Sequence, residues 1–151
     1  MPAPRSATGS ADMAAQLKAS PGSIGYLELP FAVENALSIA ALGNARGHFV
    51  RPDAGSIGAA AAGIDVANPP RTLLNSSDDA AYPLASFAYA LVDANGQDAI
   101  KGEAVATFLT WAIHDGQKLL PALHYAALPE PVVAKAEALV AAFHSGTTQR
   151  F

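Results

Sequence analysis

Few residues in this sequence have the types and spacing that chemistry needs. Its four histidines stand at positions 48, 114, 124 and 144, and none pairs with another at the i, i+4 spacing that puts two metal ligands on one helix face. No metal site is expected. His114 beside Asp115 suggests half of a nucleophilic relay, but adjacent helical residues do not face each other, and no serine sits in a G-x-S-x-G elbow. No enzyme is expected, and no cofactor. "GSIG" occurs twice, at 22–25 and 55–58, without the G-K-[S/T] of a Walker loop or the G-x-G-x-x-G of a dinucleotide site. In the first copy a serine between two glycines can offer N–H and hydroxyl donors to an anion, or the same residues can be plain turn chemistry. The second copy reads as a helix N-terminus. Phe108, Trp111 and Tyr125 read as core filling rather than as a ligand-stacking platform, and Asp78 with Asp79, and Glu103 with Asp98, as solvated acidic faces.

Bulk composition removes further classes. A length of 151 residues suits one domain with a real core. Nine Lys+Arg against thirteen Asp+Glu give a formal charge of -4, without the basic excess that binding a nucleic-acid backbone requires. Half of the residues are hydrophobic, but Gly, Pro and charges break the alanine-rich runs well before the roughly 20 apolar residues of a membrane span. With no cysteine there is neither disulfide nor thiolate chemistry. "MPAPRSATGSADMAAQL" has no apolar core followed by a small-residue cleavage site, so no export signal is expected in it.

The elements that must position these residues follow from periodicity and punctuation. A helix is expected over 10–19, with Ser10 as its cap, Met13 and Leu17 on one face, and "SPG" as its stop. "SIGYLEL" reads as a strand with Ile24, Tyr26 and Glu28 on one face and Leu27 and Leu29 on the other. A helical turn from Pro30, a strand near "LSIAAL" and a hairpin or loop at "NARGHFVRP" come next. "DAGSIGAAAAGI" is a short helix capped by Asp53 or Ser56, and Pro69-Pro70 mark an irregular connector. "AYPLASFAYALV" reads as a buried strand, and "DANGQDAI" as a polar loop. A helix is expected from about Ile100 to Asp115 on Val105, Phe108, Leu109, Ala112 and Ile113. After a short turn, a last helix presents Val132, Val133, Ala136, Leu139, Val140 and Phe143. Interspersed strands and helices give an α/β class with a small sheet.

The order of these segments carries more than any one residue. "AAQLKASPGSIGYLELPFAVEN", then "AYPLASFAYALV", then "FLTWAIHDGQKLLPALHYAALPEPVVAKAEALV" resembles the carboxyl-terminal half of the periplasmic phosphate-binding protein of the phosphate ABC transporter, the PstS-like family. The features are a helix feeding "PGSIGY", "YP" entering a long strand, an F-x-x-W helix followed by G-Q-K, and a Y-x-x-LP-x-x-VV ending. The resemblance covers roughly residues 9 to 145 and implies a partial, periplasmic-binding-protein-like fold. Residues 9–80 would end the second lobe, 81–92 would form a crossover strand, and 93–145 a helical part packing on the first lobe. Residues 1–8 and 146–151 would be loose ends. In that setting "GSIGY" is the turn into a strand, and Gly22 and Gly25 serve backbone geometry.

The resemblance also implies a ligand and partners: inorganic phosphate, an ABC transporter permease, and a periplasmic or cell-surface location. In the family the anion lies between two lobes, held by helix N-termini, hydroxyls, an arginine and an aspartate. Those groups come mainly from an amino-terminal Thr/Ser loop and an "R-S-x-G-S-G-T" segment, and neither is in this sequence. "RSATGS" stands too close to "GSIGY" to be that segment, so Arg5 and Ser10 are only local candidates for an anion. Two readings follow: a phosphate-binding component that is incomplete as given, or a binding-incompetent relative that serves protein–protein contact. A lone copy is expected to expose strand edges through which it can self-associate.

Overall fold

The tetrapeptide "DAGS" shows how locally this chain fixes its helices. Asp53 caps helix α3 (Ala54–Ala62) by accepting the Ser56 N–H on Oδ1 at 2.8 Å, while Ser56 Oγ accepts the Asp53 N–H at 3.0 Å. This reciprocal box satisfies two donors that would otherwise have no partner. Ser56 Oγ then donates to the Arg51 carbonyl at 2.8 Å, so the entry of the chain into the helix is set as well. The computed structural model in which this is seen describes residues 5–66, 72–93 and 99–144. The expected features at Pro69-Pro70, in most of the "DANGQDAI" loop, and at 1–4 and 146–151 lie outside those residues, as do Asp98 and the side chain of His144.

Helix α1 (Gly9–Ala19) and helix α2 (Leu29–Glu34) pack on one another and are joined by "SPGSIGYLE". Gly22 has φ +81°, the left-handed conformation that only glycine adopts without strain. Gly25 serves a different purpose: a Cβ there would stand 2.8 Å from Met13 Sδ and 3.2 Å from a Leu17 methyl, so its bare backbone lies on that face of α1. After α2 comes a two-residue antiparallel ribbon, β1 (Leu42–Gly43) with β2 (Phe49–Val50), in the register Leu42 to Val50 and Gly43 to Phe49. "NARG" makes the turn between them, with Gly47 at φ +84°.

A small core forms behind α3. Ala60, Ala61, Leu73, Ala81 and Ala85 are buried there, with Ile57, Ile64 and Phe87 half-buried around them. Tyr82 N–H donates to Ser56 O at 3.0 Å, and Asn75 N–H donates to Pro83 O at 2.9 Å, which fixes the 81–85 segment against the helix.

The last third is a helical unit: α4 (Ala99–Ile113), a 3-10 helix (Asp115–Leu123) and α5 (Glu130–His144). Val105, Leu109, Ala112 and Ile113 of α4 are half-buried, as are Val132, Val133, Ala136, Leu139, Val140 and Phe143 of α5. Apart from Phe108, which is exposed, these are the stripes their spacing prescribes, and α4 and α5 pack along them. Gly116 explains part of "F-x-x-W…G-Q-K", because a Cβ there would meet the Trp111 ring and the Trp111 carbonyl at 3.3 Å.

Several expectations need correction. The helix cap at the amino end is Thr8, not Ser10, and its side chain makes no capping hydrogen bond; Ser10 lies inside the first turn. The strands expected at "SIGYLEL" and "AYPLASFAYALV" have no ladder, and the one near "LSIAAL" survives only at its end, where Leu42 enters β1: among the described residues the β1–β2 ribbon is the whole of the sheet. The side-chain alternation nevertheless follows the extended reading. Ile24, Tyr26 and Glu28 are exposed while Leu27 and Leu29 are half-buried, and Ala81, Pro83 and Ala85 are buried while Leu84 and Ser86 are exposed. These segments are extended but unpaired, since a strand is defined by a neighbour and the described residues offer none. The α/β expectation therefore holds in the coarser sense of mixed helix and strand.

Candidate functional site

Arg5 and Ser10, the two residues singled out for an anion, are held at opposite ends of α1. Arg5 Nη1 donates to Ser20 Oγ at 3.4 Å, and Ser20 is the C-cap residue of the helix. Ser10 Oγ accepts the Glu28 N–H at 3.5 Å beside the first turn. Ser20 lies ten positions beyond Ser10 along the helix, a rise of roughly 15 Å, so the guanidinium and the hydroxyl do not converge. The N-terminus of α1 already has a negative group: Asp12 Oδ2 accepts the Thr8 N–H at 2.8 Å and lies 3.3 Å from Gln16 Nε2. A carboxylate there answers the helix dipole and opposes a second anion.

The N-terminus of α3 is occupied in a similar way. Its Ser56 N–H is taken by Asp53 Oδ1 and its Ile57 N–H by Asp53 O at 3.0 Å, so the second "GSIG" is a capped helix start. An open depression of about 690 Å³ beside this core is lined by Arg46, Thr72, Ser76, Asp78 and Asp79 among others. Arg46 Nε is paired with Asp79 Oδ1 at 3.0 Å, and among the described lining residues the carboxylates outnumber the cations, which disfavours an anion.

Sequence reasoning missed the residue that organises this corner. Asn44, only 7 % exposed, donates from Nδ2 to the Asp79 carbonyl at 2.8 Å and to the Ala81 carbonyl at 3.3 Å. Its Oδ1 accepts the N–H groups of Arg46 and His48, both at 3.0 Å. The Oδ1 bond to Arg46, two residues on, is an Asx-type turn, and that local signal was readable in "NARG".

The other candidates also take structural places. His114 pairs not with Asp115 but with Glu137 of α5, Nε2 to Oε1 at 2.8 Å. Asp115 turns to Lys118 at 2.7 Å; the hydrogen bond and charge of Lys118 hold its carboxyl below the usual range, and Lys118 is raised in return. His48 Nδ1 lies 3.3 Å from the Asp79 carbonyl. No cluster of metal-binding side chains forms among the described residues. Phe108 and Trp111 are not core filling: they are 61 % and 46 % exposed, with ring centroids 5.9 Å apart on the outer face of α4. Tyr125 is half-exposed, and its hydroxyl donates to Glu28 Oε2 at 3.2 Å.

No family model matches the sequence. Over 133 residues it is 35 % identical to the phosphate-binding protein PstS of Xylella fastidiosa, an alignment that covers 86 % of this chain and 36 % of that protein. The PstS of Methanocaldococcus jannaschii is 35 % identical over 140 residues, covering 82 % of this chain and 36 % of the relative. The PstS of Pasteurella multocida is 32 % identical over 133 residues, covering 86 % and 39 %. The resemblance carried by "PGSIGY", "YP" and F-x-x-W…G-Q-K is thus matched along most of the sequence, and the chain is similar over that length to the phosphate-binding proteins PstS, spanning little more than a third of theirs.

Proposed function

We propose that this chain is the carboxyl-terminal portion of a phosphate-binding component of an ABC transporter, a non-enzymatic solute receptor at the periplasmic or cell-surface side that delivers its anion to a permease. The observation that carries this reading is the 35 % identity over 133 residues to a protein named for phosphate binding. Residues 9–80 then belong to the second lobe, 81–92 cross over, and 93–145 pack on the first lobe.

Phosphate binding is completed by an amino-terminal portion, in the same chain or another, that supplies the anion loops. Two features support that division. Donors do not converge at Arg5 and Ser10, whereas a dehydrated phosphate needs a hydrogen bond for every oxygen stripped of water. The unpaired segments around Ile24 and Leu91 also show apolar side chains that strands from another portion can cover. Without that cover the same edges lead to homo-oligomers.

Calorimetry tests the reading. The chain alone binds phosphate no tighter than about millimolar, roughly −4 kcal/mol, and mixing with the amino-terminal portion of a PstS relative restores tight binding. Micromolar affinity of the chain alone would refute the need for a second portion, and Arg5 and Ser10 would be the first positions to mutate. A complex that forms yet binds no phosphate would favour the alternative, a binding-incompetent domain kept for protein–protein contact.

A further inference from the structure

Residues 125–128 touch three separate parts of the molecule. His124 closes the 3-10 helix in the left-handed conformation, φ 60° and ψ 28°, with the Tyr125 N–H returned to the Leu120 carbonyl at 2.9 Å. From this turn residues 125–128 run on outside any helix or strand, as a short strap. Tyr125 Oη then donates to Glu28 Oε2 at 3.2 Å, joining residues 97 positions apart. Ala126 lies against α3, its Cβ 4.0 Å from where a Cβ of Gly58 would be. Leu128 N–H donates to Gln117 Oε1 at 2.8 Å, and Gln117 Nε2 donates to the Ala112 carbonyl at 2.7 Å. The strap therefore meets the start of α2, the body of α3 and the 3-10 helix in four consecutive residues.

The helical unit behind the strap buries few of its described residues. Along α4 and the 3-10 helix the buried residues are Ala106 and Gly116, and none on α5 is buried among those described. We infer that the strap 125–128 is a conformational latch, with the Tyr125–Glu28 hydrogen bond positioning the α4–α5 unit against the amino-terminal helices. Tyr125 is a positioning residue in this role, and the inference does not depend on which ligand the protein takes. Glu28 is suited to the receiving end because it precedes α2 with its backbone already fixed, its N–H on Ser10 Oγ and its carbonyl on the Ala32 N–H at 3.4 Å.

Residue-resolved amide exchange on the full chain, with variants Tyr125→Phe, Glu28→Ala and Glu28→Gln, tests the latch. Local opening exposes the Leu128 and Ala32 amides, whereas those of Asn44 and Tyr82 report on the rest of the molecule. In Tyr125→Phe and Glu28→Ala, Leu128 and Ala32 exchange about fivefold faster, as for the loss of one ordinary hydrogen bond, with Asn44 and Tyr82 unchanged. Glu28→Gln, which keeps a carbonyl acceptor, retains the parent rates. Unchanged rates at Leu128 and Ala32, or an equal acceleration at all four amides, would overturn the inference. If Tyr125→Phe does not fold, the two Glu28 variants make the same comparison.

Discussion

Asn44 holds the carbonyl of Asp79 at 2.8 Å across 35 positions of sequence, and with the same amide it holds the carbonyl of Ala81. The turn of the β ribbon is thereby tied to the segment that walls the α3 core. Replacing Asn44 with Ala removes the amide from two carbonyls, leaving that of Asp79 only the His48 ring nitrogen, and takes the Oδ1 acceptor from the N–H groups of Arg46 and His48, at a cost of about 2–3 kcal/mol. Asn44→Asp keeps the acceptor but points a carboxylate at two carbonyl oxygens, and costs at least as much. Urea denaturation of the three proteins measures both.

The two glycines of "PGSIG" fail for different reasons when mutated. Gly25→Ala drives a methyl into Met13 Sδ and Leu17, a mild overpacking of about 1 kcal/mol because the methionine end is flexible. Gly22→Ala forces a side chain into φ +81°, with open space around it. Met13→Ala added to each variant separates the causes: it relieves Gly25→Ala and does nothing for Gly22→Ala. Equal rescue of both would refute this account.

Gln117 is a two-ended clamp. Gln117→Glu keeps the acceptor for the Leu128 N–H and loses the donor to the Ala112 carbonyl, whereas Gln117→Ala loses both. A loss of about 1 kcal/mol is expected for the first and about 2 kcal/mol for the second. Thermal unfolding followed at Trp111, which packs on the neighbouring Gly116, reports the difference.

Apolar side chains on the unpaired segments are open to water: Ile24 is 99 % and Leu91 95 % exposed, and Tyr26 and Tyr89 project with them. The purified chain therefore binds a hydrophobic dye and self-associates with concentration. Ile24→Lys with Leu91→Lys lowers both without loss of helical signal, since neither residue contributes to the core. Sedimentation of a dye-negative monomer by the parent chain would contradict this.

Alkaline pH weakens the fold through two tyrosines. Burial raises the phenol of Tyr82, and burial, then the charge and hydrogen bond of Glu28, then Glu34, raise that of Tyr125. The folded state thus keeps protons that the unfolded chain releases near its ordinary value of about 10. This contribution is whole below pH 10 and is lost as the pH rises beyond it. Tyr125→Phe makes the decline shallower in denaturation series run from pH 8 to 11.

Legibility in the sequence tracked how local each feature is. The Asp53–Ser56 box, the α4 and α5 stripes and the turn at Gly22 depend on residues within a few positions of one another, so pattern alone located them. Strand pairing at 23–29 and 81–92 depends on a neighbour, and only the alternation of faces was readable without one. The His114–Glu137 pair was hidden because it depends on how α5 is rotated against α4; helix geometry excluded Asp115 as the partner but pointed to no other. Phe108 and Trp111 were misplaced because apolar spacing and aromatic type both admit a wide stripe, whereas of the expected positions only Val105, Leu109, Ala112 and Ile113 are half-buried. At Arg5 and Ser10 composition resembled an anion loop, and the length of α1 set the two groups apart.

The extended segments at 23–28 and 86–92 put this chain in a race against time. Its helices close over short sequence distances and form early, whereas an unpaired edge stays available for as long as it waits for a partner. Whether such an edge meets its complement or a second copy of itself first is decided by concentrations and encounter rates, not by the depth of any native well. On the proposed reading, in which a second portion covers these segments, the supply of that portion relative to the supply of the chain governs how much of it stays usable.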